Sequence, residues 1–221
     1  MASSENLNIG HQIKNRKQAR DVFLTPPAVA IKHINIVNEI WKKVPNNKAT
    51  VWFDPACNAG VYYRNFPAAF QHPDGTVYPN IDLKMDILKD GVNQDFLKPE
   101  NWTEETKGII GKAEEDLIIV TNPPYSILSK WLDKTLALKP VIFSYLLAAH
   151  ALTPCRLEKM EKAGYVLTDM TVLSVRGWFG MSFCLTWIRK DRNISKSAYT
   201  PIVSYCREKY LMVKAGDPTT E

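Results

Sequence analysis

Apolar residues recur at helical spacing between Ala28 and Lys43 (Val29, Ile36, Val37, Ile40, Trp41), and the segment is entered through Pro26-Pro27, which predicts a helix. Pro45-Asn46-Asn47 breaks it, and Thr50 to Asp54 (TVWFD) follows as a short strand. Ala59 to Phe70 reads as a helix ahead of a turn at His72 to Gly75. Thr76 to Asp82 reads as a second strand, made imperfect by Pro79, and Gly91 to Phe96 as a third. Asp116 to Thr121 (DLIIVT) is an apolar run bounded by charge and by Asn-Pro-Pro, the pattern of a strand buried on both faces. Beyond it come a helix over Ile127 to Leu138, a buried strand over Pro140 to Ala148, and a helix over Thr153 to Ala163 that Thr153 caps and Gly164 stops. Val166 to Val175 and Met181 to Arg189 read as two strands around Arg176 to Gly180.

Strands alternating with helices imply an α/β fold: a mainly parallel sheet with helices on both faces, ending in an antiparallel hairpin. Sheets of this kind take ligands outside the carboxyl ends of their strands. The pattern puts Asp54, Asp82, Asp95-Phe96 and Asn122 to Tyr125 at four successive strand ends, which makes a polar and aromatic crevice.

Composition narrows the class. A chain of 221 residues with 45% hydrophobic and 23% charged positions suits one α/β domain with small appendages. No apolar run approaches the ~18 residues of a membrane span, and the first residues lack the apolar core of a signal peptide, so a soluble intracellular protein with no membrane partner is expected. Cys57, Cys155, Cys184 and Cys206 form no CxxC pair and share no ligand spacing with His11, His33, His72 or His150, so neither a metal site nor a disulfide framework is expected. The surplus of 28 Lys and Arg over 23 Asp and Glu gathers at the two ends: Lys14, Arg16, Lys17 and Arg20, then Arg189, Lys190, Arg192, Lys196, Arg207 and Lys209. Such ends serve either as solubilising tails or as arms that hold phosphates.

The sharpest signal is TNPPYS, Thr121 to Ser126. An Asp, Asn or Ser followed by Pro-Pro and an aromatic arises by chance in a chain this long on the order of 1% of the time. Two prolines fix the backbone and remove two N–H donors, so the loop offers carbonyl oxygens beside the Asn122 side chain, an acceptor pair for an amino group. Tyr125 adds a flat face on which a base can stack. Taken alone, the same residues would also serve as a rigid strand-to-helix turn.

Here the chain resembles the S-adenosylmethionine-dependent adenine-N6 DNA methyltransferases with an NPPY motif, from about Asp21 to Arg189. The resemblance implies a Rossmann-like class I methyltransferase fold with a mainly parallel seven-stranded sheet and a C-terminal antiparallel hairpin. It divides the chain into a basic arm (1–20), a methyltransferase domain (21–190) and a basic tail (191–221). DVFLTPPAVA resembles the family's Phe-x-Thr-Pro segment, which places Phe23 and Thr25 at the cofactor. VWFDPACNAG resembles the cofactor loop, with Asp54, Pro55, Ala56, Asn58 and Gly60. Asp82 matches the acid that holds ribose hydroxyls, and Asp95 and Phe96 the pair that recognises the cofactor adenine. Arg176 to Lys190 resembles the final hairpin. Asn58 stands where the family loop has its first glycine, and asparagine is the non-glycine residue best suited to a left-handed backbone. Read without the family, Asp54 and Asp95 also suit turn or helix caps, and Phe96 suits the core.

The implied chemistry is direct displacement at Asn122, Pro123, Pro124 and Tyr125, with no covalent enzyme intermediate and no metal. The Asn122 side-chain oxygen and the Pro123 carbonyl accept the two hydrogens of the adenine amine, and Tyr125 stacks on a base that is flipped out of the duplex or single-stranded. DNA is the implied partner, and the absence of a long recognition region leaves room for a specificity partner or a second copy. A viral, phage or restriction-modification source fits a small enzyme of this kind. Three other readings share these residues: an RNA adenine or guanine methyltransferase, a protein glutamine methyltransferase, and a non-catalytic relative weakened by Asn58 that binds nucleic acid. Trp178 and Phe179 are candidates for stacking on DNA or for packing between the hairpin strands.

Overall fold

The computed structural model describes residues 24–45, 47, 50–71, 75–85, 94–113, 116–173 and 182–192. Pro26 and Pro27 start α1 (Pro27–Trp41), whose buried stripe of Ala30, His33, Ile34, Val37, Ile40 and Trp41 follows the helical spacing. Strand β1 (Val51–Asp54) is buried at every position. The chain then forms β2 (Ala69–Gln71), β3 (Val77–Pro79), β4 (Ile81–Lys84), α2 (Glu104–Lys112), β5 (Leu117–Thr121), α3 (Leu128–Ala137), β6 (Ile142–Ala148), α4 (Pro154–Lys162), β7 (Tyr165–Leu173) and β8 (Ser182–Arg189).

Six strands form the main sheet in the order β4-β1-β5-β6-β8-β7. The first four run parallel, and β8 lies antiparallel between β6 and β7. This is the expected Rossmann-like arrangement; among the described residues its sheet holds six strands, where seven were expected. Alternate residues of the central strands feed two cores. Phe53, Ile119 and Phe143 meet Ile110, Leu128, Trp131, Leu132, Leu157 and Met160 from α2, α3 and α4. Trp52, Ile118, Val120 and Ile142 meet α1 together with Tyr62, Phe66 and Phe70. Burial of β5 on both faces follows the apolar run that predicted it.

Several expected elements are corrected. Residues 59–70 do not form a helix: they hold turns, one 3-10 turn (Tyr63–Asn65) and β2. Pro67 forces Phe66 into an extended backbone (φ −64°, ψ 148°), which ends any helical run there. The single strand expected over 76–82 is two. β3 pairs antiparallel with β2 in a separate two-stranded sheet, and β4 joins the main sheet beside β1. Of the strand expected over 91–96, residues 94 and 95 are irregular and Phe96 opens a turn, and 91–93 lie outside the described residues. Helix α2, capped by the Thr103 hydroxyl accepting from the Thr106 N–H, lacks a legible apolar stripe because Gly108 and Gly111 interrupt it. Thr153 caps α4 by accepting from the Arg156 N–H, and Gly164 follows it with φ 87°, both as read from the pattern. Phe23, Trp178, Phe179, the arm at 1–20 and most of the tail lie outside the described residues. Two of the basic residues gathered near the C-terminal end are engaged in ion pairs: Arg189, the last residue of β8, with Asp191 at 2.8 Å, and Arg192 with Asp116 at 2.5 Å. Among the described residues no helix is long and apolar enough to cross a membrane, and no group of three or more His, Cys, Asp or Glu could hold a metal ion.

Candidate active site

Two adjacent parallel strands, β1 and β5, end side by side, and their last residues bond to each other. Thr121 donates its hydroxyl hydrogen to Asp54 Oδ1 at 2.7 Å, and the Ala56 N–H reaches the same oxygen at 3.3 Å. Asp54 is fully buried. It therefore braces the two loops against each other, and its carboxylate is held by protein donors.

From Thr121 the chain enters Asn122-Pro123-Pro124-Tyr125. Pro124 is extended (φ −67°, ψ 120°) and hands over to a 3-10 turn, Tyr125–Ile127, that leads into α3. The Asn122 amide nitrogen donates to Thr25 Oγ1 at 3.2 Å, a contact across 97 residues that joins the NPPY loop to the Thr-Pro segment before α1. The half-buried Tyr125 donates its phenol hydrogen to the Leu146 carbonyl at 3.2 Å, which pins the ring from β6. All four expected residues thus sit at the carboxyl end of β5, and Thr25 is brought to them.

The loop after β1 adopts two left-handed positions, Asn58 (φ 45°) and Gly60 (φ 76°), so asparagine does supply the backbone expected of it. The loop is tied to β4 by the Cys57 N–H bonding the Met85 carbonyl at 2.9 Å and the Met85 N–H bonding the Asp54 carbonyl at 3.0 Å. The residues at 56, 59 and 60 are small, and the Arg64 guanidinium lies over the last two, donating to the Ala59 carbonyl and standing 3.7 Å from where a Gly60 Cβ would sit. Asp82 is displaced from its expected place. It pairs in register with Trp52 inside β4, two residues short of the strand end, and partial burial raises its carboxyl above the usual range. Lys84 at the end of β4 places its ammonium over the Tyr63 ring, 4.4 Å from the centroid.

Asp95 and Phe96 form a different device from the one the resemblance implied. Asp95 Oδ1 accepts the Leu97 N–H at 2.9 Å and its carbonyl accepts the Trp102 indole N–H at 2.8 Å, so the carboxylate closes its own turn. Phe96 is 1% exposed, with ring centroids 4.6 Å from Trp131, 5.8 Å from Phe53 and 6.5 Å from the stacked Trp102. It is a core residue here, with no face open to a stacking adenine.

Three participants were not singled out from the sequence. The Thr25 hydroxyl hydrogen-bonds Tyr62, whose phenol oxygen lies 3.0 Å from His33 Nδ1, and His33 Nε2 lies 2.6 Å from Ser144 Oγ. Burial lowers the His33 pKa to about 3 and pushes the Tyr62 phenol well above its ordinary value, so both are neutral near pH 7. The one available sign was a histidine on the buried face of an apolar helix.

A scan against protein-family models finds no match, and neither does a comparison with curated proteins. Among solved structures the chain is similar to magnesium protoporphyrin IX methyltransferase (ChlM) from Synechocystis with bound SAM, at 11% identity over 83% of this chain and 92% of that one, TM-score 0.46. It is similar to the E. cuniculi Mtq2–Trm112 complex, described as methylating the eRF1 translation termination factor, at 13% identity over 77% and 99%, TM-score 0.45. A human methyltransferase 10 domain containing protein matches at 11% identity over 75% and 85%, TM-score 0.46. At these identities and TM-scores the likenesses carry neither activity nor substrate to this chain, and the chemistry of the site follows from its own residues.

Proposed function

We propose that this chain is an S-adenosylmethionine-dependent methyltransferase that methylates the N6 amino group of adenine in DNA, on a base that is flipped out or single-stranded. The observation that carries the reading is the NPPY loop itself: an asparagine amide held through its nitrogen, a proline carbonyl beside it, and a tyrosine ring pinned from β6, all at the carboxyl end of a central parallel strand.

The cofactor supplies an electrophilic methyl group on a sulfonium. The tight left-handed loop over Ala56 to Gly60 fits such a ligand, because small residues let backbone approach a polar nucleoside, and Thr25 and the partly exposed Asp82 lie on neighbouring segments. Asp54 braces this loop from behind through Thr121 and the Ala56 N–H. Asp95 and Phe96, as placed, add no contact, and adenine recognition falls to other residues.

Adenine N6 is a weak nucleophile because its lone pair is delocalised into the ring. Asn122 Oδ1 and the Pro123 carbonyl accept its two hydrogens, which favours the more tetrahedral and more positive nitrogen of the transition state. S-adenosylmethionine, when bound, would supply the methyl carbon and keep the electron pair of its carbon–sulfur bond, while Asn122 and the Pro123 carbonyl would aim the amine lone pair at that carbon and one N–H proton would leave to water. Tyr125 stacks on the extruded base and contributes affinity of about 1–3 kcal/mol. The basic ends of a chain whose net charge is +5 supply sequence-independent attraction to phosphates.

Transfer of radiolabelled methyl to double-stranded DNA, single-stranded DNA and RNA, with the modified base identified by mass spectrometry, tests the proposal. N6-methyladenine in DNA that falls more than ~100-fold in Asn122→Ala supports it. Label in RNA or on a protein amide reassigns the substrate, and no transfer together with no cofactor binding removes the enzyme reading.

A further inference from the structure

The contacts behind Asn122 continue into the protein as one unbroken hydrogen-bond chain. It runs Asn122 Nδ2 to Thr25 Oγ1 (3.2 Å), Thr25 to Tyr62, Tyr62 to His33 Nδ1 (3.0 Å), His33 Nε2 to Ser144 Oγ (2.6 Å), and Ser144 Oγ to the Leu185 carbonyl (3.1 Å). It crosses from the segment before α1, through the loop after β1 and through α1, to β6 and β8. His33 and Ser144 are fully buried and Tyr62 is 2% exposed.

Such a chain has two polarities. Each hydroxyl has one hydrogen, and the neutral imidazole donates from one nitrogen and accepts at the other, so fixing one link fixes all. The far end is a backbone carbonyl, which can only accept. Ser144 therefore donates to Leu185, His33 Nε2–H donates to Ser144, Tyr62 donates to His33 Nδ1, and Thr25 donates to Tyr62. The remaining acceptor position at Thr25 requires an N–H from Asn122. Thr186, whose hydroxyl lies 2.7 Å from Ser144 Oγ, can donate to Ser144 without disturbing that direction. In the reverse polarity the lone pairs of Ser144 Oγ would face the Leu185 carbonyl oxygen at 3.1 Å with no hydrogen between them, and Thr25 would donate to the amide oxygen, presenting the NH2 group to an incoming amine.

We infer that Tyr62 and His33 are positioning residues: the one-way chain from the Leu185 carbonyl holds the Asn122 amide with its nitrogen toward Thr25 and its oxygen toward the substrate amino group. The inference rests on the proposed function for what the oxygen does, but the polarity of the chain is a property of the free protein. An amide rotated by half a turn is nearly the same in shape and opposite in hydrogen bonding, so packing alone does not select its orientation. A directional chain does.

The test has one arm without turnover and one with it. In the full-length wild-type protein labelled with 15N-histidine, long-range 1H–15N correlation should find the His33 proton on Nε2, with Nδ1 bare; a proton on Nδ1 overturns the inference. Tyr62→Phe cuts the chain at its middle and should shift the Asn122 side-chain amide resonances, assigned by their loss in Asn122→Asp. It should also lower kcat about tenfold while KM for cofactor and for DNA stays within about twofold. Ser144→Ala, a smaller change, should give a mixed His33 tautomer and a lower kcat with the same KM pattern. A Tyr62→Phe enzyme with unchanged kcat, or one in which only KM rises, overturns the inference. If wild-type protein transfers no methyl group to any nucleic acid, the function proposal falls on that result, while the tautomer and the Asn122 resonances still decide the polarity of the chain.

Discussion

Asn58 carries a backbone that most side chains resist (φ 45°). A β-branched side chain there meets the preceding turn, so Asn58→Val should lower stability by about 1–2 kcal/mol in urea unfolding and weaken cofactor binding, whereas Asn58→Gly should keep the loop. Phe96→Ala should cost about 3–5 kcal/mol of stability and, below the melting temperature, leave cofactor affinity unchanged, because the ring fills the core between Trp131, Phe53 and Trp102. Buried His33 adds a pH dependence whose sign is fixed. Its pKa falls from 6.5 in the unfolded chain to about 3, so below pH 6.5 the unfolded state binds a proton that the folded state refuses. Stability should then decline by on the order of 1.4 kcal/mol per pH unit from about pH 6.5 down to about pH 3, and His33→Gln should flatten that limb in denaturation midpoints measured at successive pH values. At this scale the sequence showed Asn122 to Tyr125 plainly, because two prolines act locally. Tyr62 and His33 stayed hidden because their bond spans 29 residues, and Phe96 was misplaced because its burial is decided by indoles from two other segments.

Two glycines at the element scale test opposite physics. Gly108 lies inside α2 with open space around a would-be Cβ, so Gly108→Ala should raise stability by about 0.5–1 kcal/mol. Gly164 also has open space, but its φ of 87° terminates α4, so Gly164→Ala should lower stability by about 1 kcal/mol through the backbone alone. Thermal melts of the pair separate the two causes. The elements legible in advance were those with strong local marks: Pro26-Pro27 before α1, the all-apolar β5, and Thr153 and Gly164 around α4. The segment 59–70 misled because its aromatic spacing resembles a helix, while Pro67 and the pairing of β2 with β3 decide otherwise. Thr76 to Asp82 was broken by a separate sheet that no local pattern announces.

Across the whole molecule, neighbouring residues of each central strand serve opposite cores, Trp52 beside Phe53 and Ile118 beside Ile119. Neither core can be lost while the other persists, so circular dichroism and tryptophan fluorescence should give coincident urea transitions, with Trp41 and Trp52 reporting one side and Trp102, Trp131 and Trp187 the other. The strand order has a different consequence for synthesis. The ribosome delivers β6 and β7 before β8, yet β8 is the strand that lies between them. Until Arg189 has emerged, β6 is a bare edge facing a growing chain, and β7 has no strand to pair with. The Leu185 carbonyl arrives in that same strand, so a product terminated before it lacks both the closed sheet and the proposed anchor of the Asn122 amide. Closure of the sheet and the proposed anchoring of the Asn122 amide therefore wait for one event, the insertion of a single strand into a gap already waiting for it.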